Sequence, residues 1–322
     1  MTAGVETLSI VVPVYKNEES LGRLLRALGD VAKECPLPVE AVFVVDGSPD
    51  HSAEILRSGL GGAGFSSRLV SLSRNFGSFN AIRAGLEIAS GSYMVVMAAD
   101  LQEPPELALR FLDILRRDEA DIAFGVRTKR TDPWLDEMAS RLFWRVYRRF
   151  VLPELPPGGV DIFGCTRAVR DRLIALRESN ANLIALLFWL GFRRAYVPYV
   201  RQPRKEGRSA WTLRKKLRYC LDSVFNFTDL PIRLLLALGS VGTVTAVIFA
   251  AVLFGARLTG QIPVSGYTAT VVAITFFGSI LSLGLGILGE YVWLVLQNVR
   301  GRPSSVIERV EDFEGPGRAS GS

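Results

Sequence analysis

Between Arg233 and Arg257 the chain carries 23 consecutive residues without a charge, LLLALGSVGTVTAVIFAAVLFGA. A helix of that length rises about 34 Å, enough to cross the hydrocarbon core of a bilayer, so the fold must give this segment an apolar surrounding. A second uncharged run, Tyr267–Gly289, follows a polar connection containing Gly260, Pro263 and Gly266, and apolar sequence resumes past Glu290 as YVWLVL. The two runs predict a transmembrane helical hairpin over 233–298. Before it stand Arg201, Arg204, Lys205, Arg208, Arg214, Lys215, Lys216 and Arg218, and after it Arg300, Arg302 and Arg309, whereas the connection has only Arg257 at its edge. Basic flanks stay in the cytoplasm, which makes the expected protein a multi-pass cell-membrane protein with both termini cytoplasmic. Small residues at Gly239, Gly242, Gly278, Ser282, Gly284, Gly286 and Gly289 allow close packing within the hairpin or between protomers, so a homo-oligomer is one expectation. Glu290 is read as an interfacial residue near a helix end, because a carboxylate inside hydrocarbon costs several kcal/mol.

The segment 211–232 mixes basic and aromatic residues at helical spacing and predicts an amphipathic juxtamembrane helix against anionic headgroups. The stretch from Trp134, WLDEMASRLFWRVYRRFVLPELP, has the same character and fits either that role or packing on a soluble core. The tail, 299–322, is read as cytoplasmic and partly disordered, with a Gly/Ser-rich end after Phe313. The N-terminus lacks a basic leader and reads as a first strand instead of a signal peptide.

Composition narrows the rest. A chain of 322 residues, 49% apolar, is too long and too apolar for a disordered or disulfide-stapled protein, and its +6 charge is too mild for a nucleic-acid binder. Cys35, Cys165 and Cys220 have no paired spacing, and the single histidine, His51, sits in a turn-like stretch, so metal cages of Cys and His and Ser-His or Cys-His nucleophiles are not expected.

Residues 1–210 alternate β-branched runs (LSIVVPVY, VEAVFVV, SRLVSLS, GSYMVVMAA, ADIAFGV) with helical patterns such as ESLGRLLRALGDVAKE and PELALRFLDILRR. That alternation predicts an α/β domain with a mostly parallel, Rossmann-like sheet. Ligands of such sheets bind at the carboxyl ends of the strands. There the sequence places Pro13-Val14-Tyr15-Lys16-Asn17-Glu18, then Asp46-Gly47-Ser48-Pro49-Asp50, then Ser73-Arg74-Asn75-Phe76-Gly77, then Asp100-Leu101-Gln102-Glu103. Each is an ordinary turn or cap by itself. As an ordered set they offer a carboxylate for a ribose or base, an aromatic ring for stacking, a cation for phosphate, and hard oxygens for a divalent ion.

The motifs VVPVYKNEESL, VDGSPD, LSRNFGSFNAIRAGL, ADLQEPPEL, Gly125-Val126-Arg127, RKEGRSAW and the closing LGILGEYV resemble those of family 2 glycosyltransferases of the GT-A fold, and within them the polyprenyl-phosphate glycosyltransferases. The resemblance implies an inverting transfer from a nucleotide-sugar, UDP- or GDP-linked, to a polyprenyl phosphate at the cytoplasmic face. It implies that Pro13, Tyr15, Glu18 and Asp46 hold the nucleoside, that Arg74 and Asn75 frame the donor pocket, and that Asp100 and Gln102 hold a Mg²⁺ or Mn²⁺. Arg127, Arg204 and Ser209 would approach donor or acceptor phosphates. Asp161, 61 residues after Asp100, matches a family position proposed to act near the sugar as a base.

The chain departs from the family pattern in three places. Val45 stands where the first Asp of Asp-Asp-Gly-Ser is usual, Ala98 where the first Asp of Asp-x-Asp is usual, and Gly164-Cys165 where Arg-Leu is common. Loss of the carboxylate at 98 implies a weakened ion site, held by Asp100, Gln102, waters and the donor's phosphates. The same losses admit an alternative, a non-catalytic relative that binds nucleotide or lipid as a partner in envelope glycan assembly.

Overall fold

The computed structural model describes residues 5–128, 154–156, 160–176, 182–202 and 266–315, with parts of 231–252. The chain divides into two compact units, one formed by 1–213 with 303–322 and the other by 214–302.

The first unit is built on β1 (Leu8–Val14), α1 (Glu18–Glu34), β2 (Val39–Val45), α2 (Ser52–Leu60), β3 (Ser66–Leu72), α3 (Ser78–Ile88), β4 (Tyr93–Val96), α4 (Leu107–Arg116), β5 (Ile122–Arg127), β6 (Val160–Thr166), α5 (Arg167–Ala175), α6 (Leu183–Trp189), β7 (Arg194–Tyr199) and β8 (Ile307–Phe313). The strands form one sheet in the order β7-β5-β6-β4-β1-β2-β3-β8. Every residue of β2 is buried, and so are all of β1 except Pro13, which explains why these strands read as nearly continuous apolar runs, broken by Ser9 and Glu40, which bond to each other. On one face Ile10, Val12, Phe43 and Val45 pack with Leu21, Leu24 and Leu28 of α1, Leu56 of α2 and Phe111 of α4. On the other, α3 comes so close that a Cβ on Gly85 would meet Val11 Cγ1 at 2.4 Å.

The mostly parallel expectation holds for β1, β2, β3 and β4, and for the β5–β7 pair. The structure adds what the sequence reading left out. β6 enters antiparallel between β4 and β5, and β8 pairs antiparallel with the β3 edge. The span 299–322, read as a tail, therefore contains a sheet strand. β8 is fastened by a two-pronged contact of Arg57 with Glu311 (2.7 and 2.9 Å) and by Arg68 against Asp312 (3.1 Å). Gly315 passes so near the chain that a Cβ there would lie 2.6 Å from the Phe65 carbonyl carbon. The departure at Gly164-Cys165 also has a local reason: a Cβ on Gly164 would already touch Phe111 Cβ at 3.0 Å, and Cys165 is fully buried, its thiol pushed up to about 12 by that burial.

In the second unit α7 (Tyr267–Arg300) runs 34 residues and ends at Gly301, which takes the left-handed conformation (φ 59) common after helix ends. Within it Phe276–Arg300 is, among the described residues, the one stretch long and apolar enough to cross a membrane. The described residues of 231–252 are helical. The segments at 134–153 and 211–230, both read as amphipathic, lie outside the described residues.

Candidate active site

The loops at the carboxyl ends of β1, β2 and β3 are tied to each other by side chains that the motifs themselves supply. After β2, Asp50 accepts from Ser48 Oγ (2.5 Å), Ser52 Oγ (2.9 Å) and the Glu18 N–H (3.2 Å). Burial pushes the Asp50 carboxyl up, but these hydrogen bonds outweigh it and hold the group below its usual value. In return Glu18 Oε2 accepts the His51 N–H at 3.0 Å, and Ser48 Oγ accepts the N–H of Lys16 at 2.8 Å. Lys16 sits at φ 56, a conformation that a non-glycine residue keeps only when its neighbours enforce it. Glu18 therefore joins the β1 and β2 loops, while Tyr15 beside it presents its ring to solvent, 39% exposed.

Asp46 does the same for the β3 loop. It is 2% exposed, and its two oxygens accept the N–H groups of Phe76 (2.7 Å) and Gly77 (2.8 Å), while Asn75 Nδ2 donates to its backbone carbonyl (3.2 Å). Burial raises the Asp46 carboxyl above the usual range, against the pull of those donors and of Arg74. As it stands, Asp46 shapes the Arg74–Gly77 loop and does not open onto the rim. Gly47 permits the close approach: at φ 55, a Cβ there would lie 2.4 Å from the Arg74 carbonyl carbon. Arg74, exposed, lies over the Phe76 ring at 4.4 Å. Pro13 is half-buried at the end of β1.

After β4 the chain turns through Leu101 at φ 55. Asp100 is half-buried and its Oδ1 accepts the Gln102 N–H at 3.2 Å. Gln102 is 9% exposed; its side-chain oxygen accepts a hydrogen bond from Arg201 Nη2, and its carbonyl accepts the Gln202 N–H at 2.9 Å. Arg201 Nε also lies 3.8 Å from Oε1 of the buried Glu103. The sequence reading counts Arg201 among the basic residues between the sheet domain and the apolar segment and does not pair it with the Asp100 loop; the structure puts it on this loop, 99 residues away along the chain. As an ion site the loop fits in part. Asp100 suits a single-carboxylate seat of the kind Mg²⁺ uses with nucleotides. Gln102, named with it as a ligand, already accepts from the Arg201 guanidinium on its side-chain oxygen, Ala98 has no side-chain oxygen to offer, and among the described residues no three His, Cys, Asp or Glu side chains group as a cage.

The remaining candidates fall on the same rim or outside the description. Because β6 runs antiparallel to β4 with Phe163 opposite Val96, the backbone of Asp161 lies level with the residues just past β4. Arg127 ends β5, half-buried, opposite Tyr199. Arg204 and Ser209 lie outside the described residues. Beside the Asp100 loop, Leu107 and Arg110 of α4 and Thr128, Tyr199 and Val200 line an open cleft of about 510 Å³.

Comparison with known proteins agrees with this architecture. The family model for glycosyl transferase family 2 matches residues 9–176. An uncharacterised glycosyltransferase of Synechocystis is 32% identical over 95% of this chain and 96% of its own length. The undecaprenyl-phosphate 4-deoxy-4-formamido-L-arabinose transferase of Serratia proteamaculans is 30% identical over 95% of this chain and 94% of its own. Among solved structures, glucosyl-3-phosphoglycerate synthase from Mycobacterium tuberculosis, in complex with Mn²⁺, UDP-glucose and phosphoglyceric acid, has a TM-score of 0.50 at 15% identity, covering 67% of this chain and 77% of that one, a likeness of fold. With the family model covering 168 of the 322 residues and relatives of at least 30% identity aligned over nearly the whole length, the chain belongs to glycosyl transferase family 2.

Proposed function

We propose that this enzyme moves a sugar from a UDP- or GDP-linked donor to the phosphate of a polyprenyl phosphate, with inversion, at the cytoplasmic face of the cell membrane. The observation that carries the reading is the alignment with the undecaprenyl-phosphate transferase over 95% of the chain, since it takes in the membrane-type unit as well as the sheet domain.

An oxygen of the acceptor phosphate attacks the anomeric carbon from the face opposite the nucleoside diphosphate. The bond to the diphosphate breaks with its electron pair, and this single displacement inverts the centre. A phosphate acceptor is already ionised near neutral pH, so proton removal matters less than bringing anionic groups together, and cations and oriented N–H groups lower the barrier. Tyr15 and Pro13 flank the nucleoside, Asp46 and Glu18 hold the loops that shape its pocket, and Arg74 and Asn75 frame the donor. Asp161 stands near the sugar, and Arg127, Arg204 and Ser209 draw the phosphates. A Mg²⁺ or Mn²⁺, held through Asp100 and the donor's diphosphate oxygens, would neutralise charge on the leaving group.

The connectivity supports a hairpin. After the 214–302 unit the chain returns to the sheet domain to supply β8, which supports an even number of crossings on this reading. A Cβ on Gly284 would meet Leu235 Cδ1 at 3.2 Å and one on Gly242 would meet Phe277 Cε1 at 3.6 Å. These contacts step in opposite directions along the two segments, as antiparallel helices require. Gly239, Gly278, Gly286 and Gly289 have open space around them and leave room for a second copy.

A donor screen in membranes containing the full chain, with mass detection of the lipid product, tests the reading. A sugar-phosphate lipid formed from one nucleotide-sugar supports it. Nucleotide binding without product for any donor would favour the non-catalytic alternative, which Ala98 and Val45 motivate.

A further inference from the structure

The loop after β4 differs in two respects from what the resemblance implies. Ala98 offers no oxygen where the resemblance implies a carboxylate, and the Gln102 oxygen is occupied by a guanidinium. The Arg201 side chain is one-third exposed and reaches both Gln102 and the buried Glu103, while the Gln202 N–H grips the Gln102 carbonyl. A guanidinium stays charged at every physiological pH and can only donate. The amide oxygen has a second lone pair, but an ion placed on it would sit beside the guanidinium already bonded there, and two positive charges repel at such spacing.

We propose that Arg201 is a positioning residue that keeps Gln102 out of the coordination shell of the divalent ion. The ion then relies on Asp100 and the nucleotide's diphosphate, and Arg201 supplies a second, permanent positive charge to the loop. This rests on the reading that a nucleoside diphosphate binds at this rim. The enzyme consequently binds free Mn²⁺ poorly and acquires the ion together with its nucleotide.

The test is Mn²⁺ binding to the full chain in lipid nanodiscs, read from the electron paramagnetic resonance of free Mn²⁺, with UDP and GDP present in turn. Arg201→Gln releases Gln102, and Mn²⁺ should bind about tenfold tighter, the low end of effects seen for groups that hold a metal's ligands. Because that change removes the guanidinium beside Glu103, Arg201→Gln with Glu103→Gln is measured alongside, and the same tightening is expected. Adding Gln102→Ala to Arg201→Gln should abolish it. Unchanged or weaker Mn²⁺ binding in the double variant, with wild-type thermal melting, overturns the proposal. Absence of UDP and GDP binding in both the wild type and Ala98→Asp would instead bring down the nucleotide reading beneath it.

Discussion

The two halves of the rim are held in different ways. The loops after β1, β2 and β3 are bonded to one another by Asp46, Asp50, Glu18, Ser48 and Ser52, side chains that lie within their own motifs. The loop after β4 is held from outside, by Arg201 and Gln202 at the end of β7. The first half is thus set by the folding of the sheet domain itself. The second is held by residues of the same domain that lie just after β7, outside the β4 motif, on the segment that leads on to Arg204 and Ser209.

This contrast predicts that substitutions in the first half cost stability and those in the second cost turnover. Asp46→Ala orphans the Phe76 and Gly77 N–H groups and should lower stability by about 3 kcal/mol in thermal melts; Asp100→Ala should shift melting little while removing transfer. Equal destabilisation by both would break the distinction. Gly47→Ala comes next, at about 2 kcal/mol, from the φ of 55 and the 2.4 Å approach to Arg74.

Asp50 gives a smaller, pH-dependent effect. Its folded value is lowered, so its contribution is full above the unfolded value of about 4 and is lost as pH falls through the folded value. Asp50→Asn should therefore melt below wild type at pH 7, and the gap should close as the pH drops below about 4. A gap that persists at low pH would mean that Asp50 acts by shape and not by charge. The smallest effect belongs to the edge strand: Glu311→Gln breaks a partly exposed ion pair and should cost about 0.5 kcal/mol in the same melts.

Legibility in the sequence follows the same division. β1 to β5 stand out because they are runs of β-branched residues buried in the sheet, and the rim motifs are legible because each sits directly after such a run. β6 is masked by Asp161 and Gly164 within it, and β7 by Pro198. β8, IERVEDF, is a half-exposed edge strand whose charges keep other strands away, so it reads as a tail. At the site, the turns around Asp46 and Asp50 involve neighbours in sequence or adjacent motifs. The Arg201–Gln102 contact joins residues 99 apart, and a cation between an apolar strand and a basic flank carries no sign of which loop it will meet.

The most direct measurement of the central claim is transfer of radiolabelled sugar by the purified full chain in nanodiscs containing undecaprenyl phosphate, with Mn²⁺ and a panel of UDP- and GDP-sugars. The account predicts a labelled lipid from one donor, and a loss of about a hundredfold or more in rate with Asp100→Asn. Labelled lipid made equally well by Asp100→Asn, or none from any donor with wild-type protein that binds nucleotide, would contradict it.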